Sequence, residues 1–417
     1  MRISPRVTLL RRGLLAAFIV GLGTSITLAQ TALTLLVLGW LWQMRDPPAR
    51  RVGPPPLRVP VLAFCGVTLL SALASGVPVF SLWYSKDLLL VLAFYVLVDA
   101  LGQAEEAEHL LYALALVTGL IAVLGVLQLE LCPTPEPPRG SPGWFLIRCA
   151  RARAFFSTTM TLASVLNLVL LATLPRLLLG GWRLGWLPAV WVGMLLGLAA
   201  TYVRGAWLGF IAGVVATLPL IPQWARALLL VGLVTLVSGT LIASDTPIGR
   251  RFRSIGDPET ASFKERIYMW RSGIAMWRQR PWLGVGPGGI KRLYREFALP
   301  EAIKKRTGHL HNTPVQILVE RGLLGLTAWL WIWGAFYWRV GRLLRRLPAS
   351  LGRERALVAG SLAAVTGFLV HGLSEYNFGD SETVMVAWAI MALPFVAVRP
   401  AGANEGDPPG GRERGGA

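Results

Sequence analysis

Residues Thr307–Leu326, TGHLHNTPVQILVERGLLGL, join a basic segment to an apolar run, and the interpretation of the whole chain depends on them. Thr313 followed by Pro314, with Gln316 three residues after the threonine, predicts a helix whose N-cap is Thr313 and which has a Thr313/Gln316 capping box. His311 is therefore expected just ahead of the N-terminus of a membrane helix. Because a helix N-terminus carries about half a positive charge, this position attracts anionic ligands and favours a neutral imidazole that accepts a proton.

The composition indicates a polytopic membrane protein. Of the 417 residues, 54% are hydrophobic and only 15% are charged, whereas soluble domains carry about 25% charge. The net charge of +19 lies in loops between apolar runs and not on a soluble basic domain. Positive-inside bias and acidic lipid headgroups explain that distribution, so a nucleic-acid partner is not expected.

The apolar runs predict an all-α protein with about twelve transmembrane helices of roughly 20 residues. Residues 10–44 are too long for one span and are expected to form a hairpin with a break near Gly23–Thr27. No small-residue cleavage site followed by a soluble domain supports a signal peptide there. The other predicted spans are 60–78, 86–101, 108–130, 157–175, 184–200, 204–221, 225–243, 314–340, 355–373 and 382–398.

Arginines in short loops predict the orientation. With twelve spans, the arginine-bearing segments fall on one side, which is then cytoplasmic. These segments are the N-terminus, 45–59, 176–183, 222–226 and 341–354. The domain organisation that follows is nine spans in 1–243 with an outer loop at 131–156, an outer helical loop at 244–313, three spans in 314–398, and a disordered cytoplasmic tail at 399–417.

The long outer segment is predicted to contain a surface helix. Apolar residues at helical spacing, ending before Pro281, predict a helix at the membrane interface; they are Phe263, Ile267, Trp270, Ile274 and Trp277. Gly284–Gly289 matches G-x-G-x-x-G by letter, but no strand precedes it, so a loop between two surface helices is expected instead of a dinucleotide site. The segment has fourteen Lys/Arg against six Asp/Glu, which an anionic ligand would explain.

An ordered set of motifs resembles the O-antigen ligase family, which shares its signature with O-antigen polymerases and some protein O-glycosylating enzymes. The motifs are Arg151–Ala163 (RARAFFSTTMTLA), Thr201–Trp207 (TYVRGAW), Arg266–Trp270 (RIYMW), Pro281–Gly288 (PWLGVGPG), His311–Asn312 and Glu320–Gly325 (ERGLLG). In the first motif, Ala154 replaces the usual glycine of R-x-x-G-x-F, so the motif arginine is either Arg151 or Arg153. The resemblance implies a C-type membrane glycosyltransferase in the bacterial inner membrane, with its active site on the periplasmic face.

The resemblance also implies roles for individual residues. His311 would be the catalytic base, and Arg204, Arg266 and Arg151 would bind the diphosphate of a polyprenyl-diphosphate-linked glycan. His309, Asn312 and Glu320 would support them; the roles considered for Glu320 are orienting His311, pairing with an arginine, or packing the helix. His371 would contact substrate or form a structural polar pair near Glu375 and Asp380.

The expected reaction inverts the anomeric configuration and needs no cofactor. It is also expected to be metal-independent, because no D-x-D or H-x-x-x-H pattern is present on the outer side. The three cysteines form no zinc motif, and a disulfide between Cys132 and Cys149 in the first outer loop remains open. The acceptor is lipid A–core in a ligase, another lipid-linked repeat in a polymerase, or a protein hydroxyl. A lipid-linked glycan transporter is the non-enzyme alternative; it is disfavoured because no internal repeat is seen and the polar groups cluster at one face.

Overall fold

The computed structural model describes residues 5–45, 55–131, 151–179, 185–220, 259–348 and 351–399, with isolated positions between 221 and 258. Every regular element in these ranges is helical. The α-helices are α1 (Pro5–Thr24), α2 (Ile26–Gln43), α3 (Arg58–Leu73), α4 (Pro78–Tyr84), α5 (Leu92–Ala100), α6 (Ala104–Glu130), α7 (Thr159–Leu179), α8 (Trp186–Ala200), α9 (Arg204–Thr217), α10 (Ala261–Gln279), α11 (Gly289–Phe297), α12 (Thr313–Arg346), α13 (Gly352–Gly372) and α14 (Ser381–Ala397). A 3₁₀ segment, Ser85–Val91, joins α4 to α5.

The predicted fold class, a helical multi-pass membrane protein, agrees with this architecture. Six helical stretches are long and apolar enough to cross a membrane, and four shorter apolar helices accompany them. The first hairpin breaks at Ser25, the N-cap of α2, where a break was expected. The predicted span 225–243, the tail beyond 399, Cys132 and Cys149 lie outside the described residues. The count of twelve spans remains a prediction.

The centre of the bundle is α7, flanked by α9 and α13. Residues 161–175 of α7 are all buried. Small residues let α9 and α13 approach closely: a side-chain carbon at Gly209 would lie 2.5 Å from the carbonyl oxygen of Gly367. Glycines repeat every fourth residue along α9, at Gly205, Gly209 and Gly213. Close backbone approach through such stripes is a common way for membrane helices to associate, and here it fixes the start of α9 against the end of α13.

Helix α12 is two helices joined at Gly322, whose backbone is not helical (φ 66°, ψ −169°). The predicted span 314–340 lies within this helix and includes the break, which the sequence analysis did not anticipate. The loop between α10 and α11 lies across the break and pairs with it through the main chain. The bonds are Val285 N to Val319 O (3.0 Å), Gly286 N to Glu320 O (2.9 Å), Leu323 N to Pro281 O (2.9 Å) and Leu324 N to Trp282 O (3.3 Å).

Glycine is required on both sides of this pairing. A side-chain carbon at Gly322 would lie 2.1 Å from the carbonyl oxygen of Trp282, and one at Gly284 would lie 2.5 Å from that of Val319. Both glycines have positive φ, which other residues adopt only at a cost. The PWLGVGPG and ERGLLG motifs are thus two halves of one structural unit. Residues 284–288 lie in the loop between two helices, as expected, and Gly289 begins the second of them.

Helix α10 ends at Gln279, before Pro281 as expected, and packs on the protein with a different face from the predicted apolar stripe. Its buried face contains Met269, Gly273 and Met276. Leu310 packs closely against Gly273, since a side-chain carbon at position 273 would lie 2.5 Å from the Leu310 Cδ1 atom. The predicted stripe, which includes Ile267 and Trp270, is half-exposed and available to the membrane interface.

Glu108 lies at the end of the helix bundle opposite to His311. Its buried carboxylate lies 2.5 Å from Arg176 Nε and 2.8 Å from Arg353 Nε. The start of α6, the end of α7 and the start of α13 therefore meet there. Arg176 and Arg353 belong to two segments that are predicted to be cytoplasmic, 176–183 and 341–354. Their membrane side remains a prediction.

Candidate active site

The segment before α12 differs by one residue from the predicted cap. Asn312 is the N-cap, and its Oδ1 accepts a hydrogen bond from Val315 N at 2.9 Å. The predicted N-cap, Thr313, is instead the first helical residue, because its hydroxyl donates to the carbonyl of Glu375 at 2.9 Å. No capping box forms, since the Gln316 side chain accepts from Leu310 N at 2.9 Å. His311 precedes the cap with φ 48°.

The partner of His311 is Glu375, in the turn between α13 and α14. His311 Nδ1 lies 3.0 Å from each carboxylate oxygen of Glu375. Burial alone would raise the pKa of Glu375, but the hydrogen bond from His311 and the charges of His311 and His309 outweigh it and lower the pKa to about 2. An ionised carboxylate only accepts hydrogen bonds, so Nδ1 carries a proton; in the neutral form of the ring, Nε2 is then the nitrogen left to accept one.

His309 lies beside this pair. Its Nε2 is 3.5 Å from Glu375 Oε1, and its ring centroid is 4.3 Å from that of His311. Burial, with repulsion from His311, lowers the pKa of His309. His309 therefore packs against His311 and contacts the same carboxylate; its supporting role stays a prediction.

Residues 312–313 are interlocked with the turn that contains Glu375. Asn312 Nδ2 donates to Leu373 O at 2.8 Å, in addition to its capping bond. Thr313 Oγ1 is 3.0 Å from Asn377 Oδ1 as well as bonded to the Glu375 carbonyl. Side chains on one segment thus hold the backbone of the other, which fixes the geometry of the His311–Glu375 pair.

Three arginines gather near the same turn. Arg204 begins α9, and its Nη2 donates to Ser262 Oγ at 3.1 Å. Ser262 is one turn before Arg266 on α10, and Ala152, next to Arg151, donates to the carbonyl of Ala200 at 3.0 Å, just before α9. Burial, and then the charges of Arg266 and Arg151, lower the pKa of Arg204, while Asp257 opposes them. Arg266 also acts electrostatically on His371, one turn before Glu375. The structure therefore brings the three predicted phosphate-binding arginines together.

The start of α9 contacts the turn directly. A side-chain carbon at Gly205 would lie 1.8 Å from Ser374 Oγ, so a larger residue at this position would force Ser374 to move. Arg204 is thereby held next to the residue that precedes Glu375. The arginines and the His311–Glu375 pair accordingly border one turn of the protein.

The two candidate motif arginines of the 151–163 segment have different surroundings. Arg153 Nε donates to the carbonyl of Phe156 at 2.7 Å, within its own loop. Arg151 is the one that acts on Arg204. Ala154 has φ 52°, a conformation that favours glycine, and it occupies the glycine position when Arg151 is the first residue of R-x-x-G-x-F. The geometry thus favours Arg151 as the motif arginine.

Glu320 pairs with an arginine, one of the alternatives considered for it, and it does not contact His311. Its carboxylate lies 2.9 Å from Arg321 Nη1 and accepts hydrogen bonds from Gly288 N (3.0 Å) and Gln316 Nε2 (2.9 Å). Both charged side chains are buried. Glu320 therefore ties α12 to the loop after α10.

His371 is fully buried, with Nδ1 3.1 Å from Ser164 Oγ on α7. It forms a structural polar pair, as one alternative expected, but its hydrogen-bond partner is Ser164 and not Glu375 or Asp380. Asp380 is instead the N-cap of α14 and accepts from Thr383 N at 2.9 Å. The close packing of α7 on α13 selects Ser164.

A cavity of about 230 Å³ lies under His309. At about 30 Å³ per water, it has room for roughly seven waters. Aromatic and charged side chains from α3, α4, α12, α14, the 3₁₀ segment and the turn before α14 line it together, among them Phe64, Tyr84, Asp87, Glu320, Arg321, Tyr376 and Trp388. None of the three clustered arginines is among its lining residues. The cavity and the three arginines therefore lie on different sides of His309.

Residues 189–330 match the family described as O-antigen ligase. The match covers about a third of the chain. It confirms the resemblance drawn from the motifs, and it supports glycosyl transfer of the O-antigen ligase or polymerase type. The matched stretch includes Arg204, Arg266 and His311, whereas Arg151 and Glu375 lie outside it.

Two further comparisons add little. No curated protein sequence matches the chain. A solved structure described as "Structural coordination of polymerization and crosslinking by a peptidoglycan synthase complex" is similar at 17% identity, with a TM-score of 0.42, over 82% of this chain and 96% of that one. A likeness at that level supports no argument about function.

Glu375 is the site residue that sequence reasoning missed. It was placed in the outer turn, but only as a neighbour of His371. One signal for its role was available: the SEYNFGD turn at 374–380 carries a carboxylate on the same predicted side of the membrane as His311. That signal predicts the side of the membrane on which Glu375 lies but not its partner, because 64 residues separate His311 and Glu375 in the chain.

Proposed function

We propose that the protein is an inverting, metal-independent glycosyltransferase that moves an O-antigen glycan from a polyprenyl diphosphate to lipid A–core, at the periplasmic face of the bacterial inner membrane. The observation that carries the proposal is the placement of the His311–Glu375 pair and three clustered arginines around one turn. A base beside a site of concentrated positive charge is what transfer from a diphosphate leaving group requires.

The arginines would bind the diphosphate. Arg204, Arg266 and Arg151 are half-buried side chains of like charge, and Asp257 offsets their mutual repulsion in part; a bound anion would offset it further. Arginine suits the role because its planar fork makes paired, charge-assisted hydrogen bonds with phosphate oxygens. As the bond between the anomeric carbon and the diphosphate oxygen breaks, the same side chains would stabilise the negative charge that develops.

His311 would act as the base. Its Nε2 accepts the proton of the acceptor hydroxyl while that oxygen forms a bond to the anomeric carbon. Attack from the face opposite the diphosphate inverts the configuration. Glu375, hydrogen-bonded to Nδ1, would hold the ring in the required tautomer and stabilise the imidazolium that forms, as a carboxylate does in hydrolytic triads.

The acceptor would approach through the cavity under His309. Aromatic rings and charged groups such as Asp87 and Arg321 line it, and this mixture of flat apolar faces and hydrogen-bonding groups suits a sugar. Lipid A–core is the acceptor we propose. An O-antigen polymerase or a protein O-oligosaccharyltransferase would use the same donor and chemistry with a different acceptor.

The test is a transfer assay with purified protein in detergent, using labelled polyprenyl-diphosphate glycan and separate acceptors. Label on lipid A–core supports the ligase, label on a second lipid-linked glycan supports a polymerase, and label on protein supports the third alternative. Movement of lipid-linked glycan across a vesicle membrane without any covalent transfer would support the transporter and contradict the proposal. EDTA should leave the transfer rate unchanged.

A further inference from the structure

His309, His311 and Glu375 converge in a way that hydrogen bonding alone does not require. One potential ligand atom from each residue lies within 4.8 Å of the other two. The distance from His311 Nδ1 to Glu375 is 3.0 Å, and that from His309 Nε2 to Glu375 is 3.5 Å. Ligands about 2.0–2.2 Å from a tetrahedral zinc ion are about 3.3–3.6 Å apart. Two of the three separations are therefore close to those of a zinc site.

The donor set suits zinc. Two imidazoles and one carboxylate form a known type of three-ligand zinc site, in which the fourth position stays open to water. The side chains are partly or fully protected from solvent, at 42%, 18% and 10% exposure for His309, His311 and Glu375. Asn312 and Thr313 fix the backbone around these side chains, so zinc binding would require little further ordering of the chain.

We propose that His309, His311 and Glu375 bind Zn²⁺, and that bound Zn²⁺ inhibits the transfer reaction. The metal would bond to Nδ1 of His311, the nitrogen that faces Glu375. The proton of Nδ1 then moves to Nε2, and the ring stays neutral. With Nε2 protonated, His311 can no longer accept the proton of an acceptor hydroxyl. The inhibitory step rests on the proposed base role of His311, whereas the binding of zinc does not.

Binding is tested first, on the full-length protein in detergent without donor or acceptor. Equilibrium dialysis with Zn²⁺, and the visible absorption of Co²⁺ as a spectroscopic substitute, report occupancy and coordination. We expect one ion per chain, with affinity at least tenfold lower in His309→Gln and in Glu375→Gln. His109→Gln is the matched control, since His109 is an exposed histidine on α6, and it should bind like wild type. Absence of stoichiometric binding, or equal affinity in His309→Gln, overturns the proposal.

Inhibition is tested in the transfer assay. Added Zn²⁺ should reduce the wild-type rate at the concentrations that saturate binding, and EDTA should restore it. The residual activity of His309→Gln should need at least tenfold more Zn²⁺ for the same inhibition. Zinc that binds but leaves the rate unchanged, or raises it, overturns the inhibitory step. Stoichiometric binding by a protein with no transfer activity would instead support the site and count against the proposed function.

Discussion

At the residue scale, the decisive contact is the hydrogen bond between His311 and Glu375. We expect His311→Ala to lower the rate of glycosyl transfer by about 10²- to 10⁴-fold, the usual contribution of a general base. Donor binding should be nearly unchanged, because the arginines hold the diphosphate. His309→Ala should cost less. Transfer rate and donor affinity, measured separately on the purified variants, check this; a parallel loss of both in His311→Ala would make His311 a phosphate ligand instead of a base.

The two buried glutamates near this site should respond differently to the same substitution. Glu375→Gln keeps the shape but removes the charge that stabilises a protonated His311, so turnover should fall while the protein remains folded. Glu320→Gln leaves Arg321 buried without its counter-ion, and breaking a buried pair in this way costs about 3–5 kcal/mol. Thermal unfolding in detergent, alongside the transfer rate, separates the two effects. Equal loss of stability in both variants would mean that Glu375 is only structural.

Arginine geometry gives a third prediction. Arg204→Lys keeps the charge but loses the planar fork, so activity should fall strongly at a normal protein level. Arg271→Lys is the matched control, because Arg271 is an exposed residue on α10, and its activity should stay near wild type. Rates and protein levels in membranes are the measurements. The reverse order of effects would place the diphosphate at the wrong arginines.

At the element scale, the break in α12 depends on Gly322. Gly322→Ala forces a side-chain carbon into the carbonyl of Trp282 and into a positive φ, which together should cost more than the roughly 1–3 kcal/mol of backbone strain alone. Gly334→Ala, farther along the same helix, meets nothing within 4 Å and should be neutral or stabilising by up to about 1 kcal/mol. Thermal unfolding of both variants in detergent measures these changes in stability. A Gly322→Ala protein as stable as wild type would show that the break is not needed.

Sequence reasoning predicted helices better than their interruptions. Hydrophobic runs define where a helix lies, and the start of α12 was placed within one residue. The break at Gly322 was missed, because hydropathy records burial and cannot report which distant main-chain groups a segment pairs with. The N-cap was assigned to Thr313 instead of Asn312 for a related reason: the hydroxyl of Thr313 is used by the turn at Glu375, 62 residues away.

At the scale of the whole molecule, orientation is the property on which the site depends. We expect Glu301→Cys to be labelled by a membrane-impermeant reagent in intact cells, and Arg346→Cys only after permeabilisation, in a background without the native cysteines. Both positions are exposed, whereas a side chain at Gly288 would meet the ring of Tyr84. The opposite labelling pattern would put His311 and the arginines in the cytoplasm, away from a periplasmic substrate.

The pairing of the α10–α11 loop with α12 also has a consequence for how this protein can vary. The bonds that join the two segments are made by main-chain groups, while the side chains of Trp282, Leu323 and Leu324 are 62%, 42% and 45% exposed. Most of these side chains are therefore replaceable. The number of residues is not, because one insertion on either side would shift every donor past its acceptor. In this part of the chain, length is therefore constrained together with the glycines at 284 and 322.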